Sequence, residues 1–187
     1  VKANCSGSLG ASNWSEQIDF MTSCDPQIQF PYIESFNDTL FVPTCWRNIQ
    51  TAGTGTNLLW ARNTVTPYSG TASALFNCRT YPAGTKAILV SKPVDLTNND
   101  FQVSFWILRD ASYPTSSDSL NVYYNSTPNL SAATLLGTVN RSYSLSPVVE
   151  TPNKWYPYSF KIPQSAASGC KYIIFEGVSK AGNPIKI

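Results

Sequence analysis

The chain has eleven carboxylates, thirteen Lys and Arg, five cysteines and no histidine. Without histidine there is no Ser-His-Asp or Cys-His triad and no imidazole metal ligand. Carboxylates are the main groups left for hydrolysis, and a glycosidase needs two across one cleft, about 5 to 9.5 Å apart. Asp110 and Asp118 flank the loop "RDASYPTSSD" and are placed to meet at its base. Glu176 lies within "KYIIFEGV", and a strand-borne carboxylate facing Trp or Tyr is a candidate acid with a raised pKa. No second strand-borne acid accompanies it. The preferred reading is therefore a rim carboxylate paired with Arg109 or Lys171, and the chain is expected not to be an enzyme.

Aromatic residues offer a different chemistry. In "FQVSFWILRD", period two puts Phe101, Val103, Phe105 and Ile107 on one face, and Gln102, Ser104, Trp106 and Leu108 on the other. In "DSLNVYYN", Leu120, Val122 and Tyr124 alternate with Asn121 and Tyr123. One sheet face carrying Trp106, Asn121 and Tyr123 together with Glu176 or Lys171 would suit a sugar. Its C–H face packs on aromatic rings while amides and carboxylates bond its hydroxyls. The competing reading is that Trp106 is core. A second candidate surface is the loop tip with Arg109, Asp110, Tyr113 and Asp118.

The elements that position these groups read as strands. Runs Leu59 to Asn63, Ala72 to Cys78, Lys86 to Val90, Phe101 to Arg109, Ser119 to Tyr124, Leu135 to Thr138, Trp155 to Lys161, Lys171 to Val178 and Ile185 to Ile187 are separated by Gly, Pro, Asn and Ser clusters. Ser131 to Leu136 is the one stretch read as a short helical turn. This pattern predicts an all-β jelly-roll β-sandwich. Only 13% of residues are charged, about half the usual share, and aromatics also reach 13%. That composition suits an extracellular or cell-surface β-sandwich. The net charge is +2 without runs of like charge, so neither nucleic acid nor membrane insertion is expected. The five cysteines lack Cys-x-x-Cys spacing and leave at least one unpaired within the chain. Two disulfides are allowed, with connectivity open, and most cysteines are read as buried thiols.

Residues 1–23 read as a β-hairpin, and residues 24–32, opening on Cys24-Asp25-Pro26, as a linker. The stretch "VKANC", a loop and "WSEQIDFMTS" resembles the last two strands of a fibronectin type III domain. The alternative is an extra hairpin of the main domain. Residues 33–187 contain, in order, "ESFNDTLFVPTCW", "PYSGTASALF", "AILVSKPVDLT", "FQVSFWILRD", "DSLNVYY", "WYPYSFKIP" and "YIIFEGVSKAGNPIKI". This set resembles MAM-like jelly-roll domains, and more closely the cleaved-adhesin and choice-of-anchor domains of bacterial surface proteins.

The resemblance implies a non-catalytic adhesion module of a multidomain protein, binding a glycan or a host or cell-surface protein and touching neighbouring domains. The alternatives are a spacer and an ancillary domain of a secreted protease or glycosidase. It also implies a possible calcium ion near Asn37 and Asp38, completed by an acid after the last strand, which is expected to continue past Ile187. No cofactor is otherwise required. Five Asn-x-Ser/Thr sequons, at Asn13, Asn37, Asn125, Asn129 and Asn140, are discounted as glycan sites because the resemblance is bacterial.

Overall fold

The computed structural model describes residues 24–97, 100–166 and 168–187, so the hairpin expected over residues 1–23 lies outside the described residues. Eleven strands form among them: β1 Arg47–Ala52, β2 Trp60–Asn63, β3 Ser73–Phe76, β4 Lys86–Val90, β5 Val94–Asp95, β6 Gln102–Arg109, β7 Ser119–Asn125, β8 Thr134–Asn140, β9 Lys154–Lys161, β10 Cys170–Val178 and β11 Ile185–Lys186. Helix is confined to one 3-10 turn, Gln164–Ala166.

The first layer is a six-stranded antiparallel sheet in the order β1-β4-β10-β7-β8, with β5 pairing the start of β10. The second layer has two parts, β11-β3-β2 and β6-β9, with β11 lying beside β6. Alternation decides what each strand turns inward. Val103, Phe105 and Ile107 of β6 face Leu120 and Val122 of β7 and Ile173 and Phe175 of β10 in one core. Phe105 and Phe175 meet edge to face across the layers, with ring centroids 5.9 Å apart.

Two glycines set how closely the layers approach. A Cβ at Gly177 of β10 would lie 2.5 Å from the Phe76 ring of β3, and one at Gly137 of β8 would strike the Phe160 ring of β9. Missing side chains at these two points let aromatic rings of the second layer approach the first closely.

Two strands fall outside the sequence expectation. β1, "RNIQTA", lacks an apolar face because Asn48 and Gln50 serve the backbone opposite. The Asn48 amide donates to the Trp60 carbonyl (2.7 Å) and accepts from its N–H (3.1 Å). Gln50 accepts from the Leu58 N–H at 3.0 Å. These amides tie β1 to the chain entering β2, a strand it does not pair. β5 is only two residues long. Ser131 to Leu136 is not a helical turn: a turn ends by Ala132 and β8 begins at Thr134.

Residues 24–32, expected as a linker, are fastened to the sandwich. Cys24 is disulfide-bonded to Cys45, Gln27 exchanges backbone bonds with Pro93 and Asp95 (both 2.9 Å), and Phe30 packs on Phe101. Of the other described cysteines, Cys78 is a buried thiol and Cys170 an exposed one.

The glycine argument predicts that Gly177→Ala costs about 1–3 kcal/mol of stability through overpacking against Phe76. The urea unfolding midpoint measures it. An unchanged midpoint would mean the layers can separate freely.

Candidate functional site

The loop tip expected to recognise ligands is built as a buried salt-bridge network. Arg141, at the end of β8, is fully buried. Its Nη1 donates to Asp110 Oδ1 (2.7 Å) and the Ser112 carbonyl (2.5 Å), and its Nη2 to the Tyr113 carbonyl (3.0 Å) and Asp118 Oδ2 (3.2 Å). Asp118 also accepts three backbone N–H bonds from the β10–β11 turn, from Lys180 (2.7 Å), Gly182 (3.2 Å) and Asn183 (3.1 Å). Arg109, equally buried, donates to the carbonyls of Ser142 (2.6 Å) and Leu145 (2.7 Å) and to the Tyr158 hydroxyl. Burial lowers its pKa from the usual arginine value. Asp110 and Asp118 do come together at the loop base, but around a guanidinium rather than a cleft. Of the four residues only Tyr113 is exposed, and its left-handed backbone (φ 48°) turns its carbonyl toward Arg141.

The single aromatic face expected from sequence is divided between two sheets. Glu176, Asn121 and Tyr123 lie on the outward face of the six-stranded sheet, opposite the core face that holds Phe175 and Val122. Trp106 lies on the outward face of β6, in the other layer. The cause is connectivity. β6 pairs with β9, and β10 with β4 and β7, a partner choice that strand periodicity does not encode.

Glu176 is held on its face by its neighbours. Its Oε2 accepts from the Asn121 amide (2.8 Å) and the Tyr123 hydroxyl (3.1 Å), while Lys86 Nζ stands 3.8 Å from Oε1. Thr138 donates to Asn121 Oδ1 at 2.7 Å. Burial, and then the Glu176 charge, push the Tyr123 hydroxyl pKa up to about 12. The expected ion-pair partners are not used. Arg109 belongs to the other layer, and Lys171, on the opposite face of β10 by period two, donates to Ser126 Oγ (3.0 Å). Lys86 was legible only through the register that sets Glu176 opposite Ile88, two residues away.

Trp106 belongs to a stack of rings. Tyr68, from the loop between β2 and β3, lies on it with centroids 3.9 Å apart and planes 15° apart, and meets Trp155 of β9 edge-on at 6.0 Å. Tyr68 remains 46% exposed. Beside the stack opens a cleft of about 610 Å³, lined by Tyr68, Trp106, Phe101, Phe105, Trp46 and Ile187 among others. Tyr68 sits in a segment, "TPYSGT", whose composition signals only a turn.

Asn37, expected beside Asp38 at a calcium site, has its side-chain oxygen engaged within the chain. Asn37 Oδ1 accepts from the N–H groups of Thr71 (2.7 Å) and Ala72 (3.2 Å) and from the Thr71 hydroxyl (3.2 Å), which fills its lone pairs. Asp38 accepts from the Leu40 N–H at 3.1 Å. No group of three His, Cys, Asp or Glu side chains that could hold a metal occurs among the described residues.

An antiparallel sandwich of this topology has known counterparts among adhesin domains. The K1 cleaved adhesin domain of Lys-gingipain from Porphyromonas gingivalis W83 superposes with a TM-score of 0.61 at 19% identity, over 82% of this chain and 91% of that one. The K2 domain of Lys-gingipain gives 0.58 at 17% identity, over 83% and 94%. The K3 domain gives 0.55 at 19% identity, over 78% and 88%. The fold is therefore the jelly-roll β-sandwich of the cleaved adhesin domains. No family model matches the chain, and no curated protein does.

The network predicts that Asp118→Asn costs about 3–5 kcal/mol in urea unfolding, because it leaves Arg141 buried with too little negative charge. Tyr113→Ala should stay within about 0.5 kcal/mol. Equal, small effects at both positions would mean the tip is solvated and mobile.

Proposed function

We propose that this chain is a non-catalytic binding module of a multidomain extracellular surface protein and that its ligand is a glycan. The observation that carries the reading is the Tyr68–Trp106–Trp155 stack, which keeps Tyr68 46% exposed at the rim of an apolar cleft. An exposed aromatic group held rigid by another ring gives up little entropy on binding, and its face suits the C–H face of a pyranose. Ser104 and Ser159, hydrogen-bonded to each other at 2.7 Å on the same outward face, give the platform a polar margin.

The fold of the Lys-gingipain adhesin domains supports adhesion as the role. The Cys24–Cys45 disulfide supports an oxidising, extracellular setting. Among the described residues no helix is long and apolar enough to cross a membrane. The arrangement of acids speaks against hydrolysis: Asp110 and Asp118 are neutralised by Arg141, and Glu176 is the lone acid of its cluster. The reading needs no calcium at Asn37 and Asp38.

A glycan array probed with the chain, with Tyr68→Ala and with Trp155→Ala is the test. Each variant should lose at least tenfold in apparent affinity while its melting temperature stays within about 3 °C, and EDTA should leave binding unchanged. Capture of cell-surface proteins with no glycan bound, or full glycan binding by Tyr68→Ala, would overturn the reading.

A further inference from the structure

The outward face of the six-stranded sheet has an organisation that the aromatic stack does not explain. Strand register aligns Ile49, Ile88, Glu176, Asn121 and Thr138 in one row across β1, β4, β10, β7 and β8. At about 4.8 Å per strand the row spans about 19 Å. It begins apolar, with Ile49 38% exposed, and ends polar. In its middle stands a carboxylate whose side chain is 4% exposed, although this is the outer side of the sheet.

The hydrogen-bonding capacity of the cluster is used on one side only. Glu176 Oε2 accepts from both Asn121 and Tyr123. Oε1 faces Lys86 Nζ across 3.8 Å, too far for a direct hydrogen bond and a spacing that a bridging oxygen can fill. An amide nitrogen has a second hydrogen beyond the one Asn121 gives Glu176, and a phenol oxygen that donates can still accept. Lys86, 43% exposed, is the flexible cover over the carboxylate.

We infer that this row is a second binding site, on the face opposite the aromatic stack, and that it takes neutral sugar hydroxyls. One hydroxyl donates to Glu176 Oε1 and accepts from Lys86 Nζ. A neighbouring hydroxyl accepts from Asn121 Nδ2 or donates to Tyr123 Oη, and the ring's C–H surface lies toward the exposed Ile49, Ile88 being buried beneath the face. An acidic sugar would bring its charge against the nearly buried Glu176, and a cationic ligand would meet Lys86, so both are disfavoured. The inference stands independently of the aromatic platform. Together the two sites would make one domain bivalent for glycans.

The test is an NMR titration of the chain with methyl glucopyranoside, methyl galactopyranoside and methyl glucuronide. The Asn121 side-chain amide and the backbone amides of Lys86, Tyr123 and Glu176 should shift with at least one neutral glycoside, and at least fivefold more weakly with the glucuronide. Lys86→Met, at an exposed position, should weaken those shifts at least tenfold in affinity with the fold intact. Tyr68→Ala should leave them unchanged, which separates this site from the stack. Two outcomes overturn the inference: no shift at the Asn121 amide with any glycoside, or glucuronide binding as tightly as the neutral sugars. Unchanged binding by Lys86→Met would overturn it as well.

Discussion

Arg141 holds together the end of the sandwich where three connections meet. Two buried arginines and two buried aspartates cancel in formal charge, and the network spans three connections. Asp110 and Asp118 bound the β6–β7 loop, Arg141 directly follows β8, and the backbone N–H groups that Asp118 collects belong to the β10–β11 turn. An isolated buried charge is costly, so each of these loops has its geometry imposed by the others. The last strand depends on the same network. β11 follows that turn directly and reaches β3, where Ile187 and Ala74 exchange two backbone bonds at 2.8 and 2.9 Å.

This constraint moves the expected place of binding. A loop tip bearing Arg, Tyr and two acids looks like a recognition surface, yet both acids are already paired with Arg141 and Arg109 is buried against carbonyls. What stays available is on the sheets. On one outward face, Tyr68 and Trp106 stack without closing over each other's outer surface. On the other, Glu176 is oriented by Asn121 and Tyr123 and still has one oxygen turned toward Lys86 across a gap. Both surfaces rest on strands whose inner faces are packed into one core. Their geometry is therefore fixed by burial rather than by loop conformation.

Much of the architecture was legible because alternation is a local property. The outward set Gln102, Ser104, Trp106 and Leu108 and the inward set Val103, Phe105 and Ile107 follow from period two alone, and the structure has them so. What alternation omits is which strand lies beside which. Trp106 and Glu176 were assigned one face because each points away from core residues, but their strands belong to different layers. β1 escaped detection because Asn48 and Gln50 stand where alternation would place apolar residues, so its sequence looks like a loop. Arg109 and Arg141 were illegible as buried groups because arginine is ordinarily exposed, and their hydrogen-bond partners lie more than twenty residues distant. Tyr68 illustrates the same limit. A turn-forming segment gave no sign that its one aromatic residue would fold back onto a tryptophan about forty positions later.

The central claim is that ligands meet the sheet faces and not the loop tip. A crystal structure of the chain with a bound oligosaccharide tests it most directly. The account predicts a pyranose ring packed on Tyr68 and Trp155, with the Arg109–Asp110–Asp118–Arg141 contacts unchanged. Oligosaccharide density at residues 110–118, with Arg141 released from Asp118 to bind it, would contradict the account.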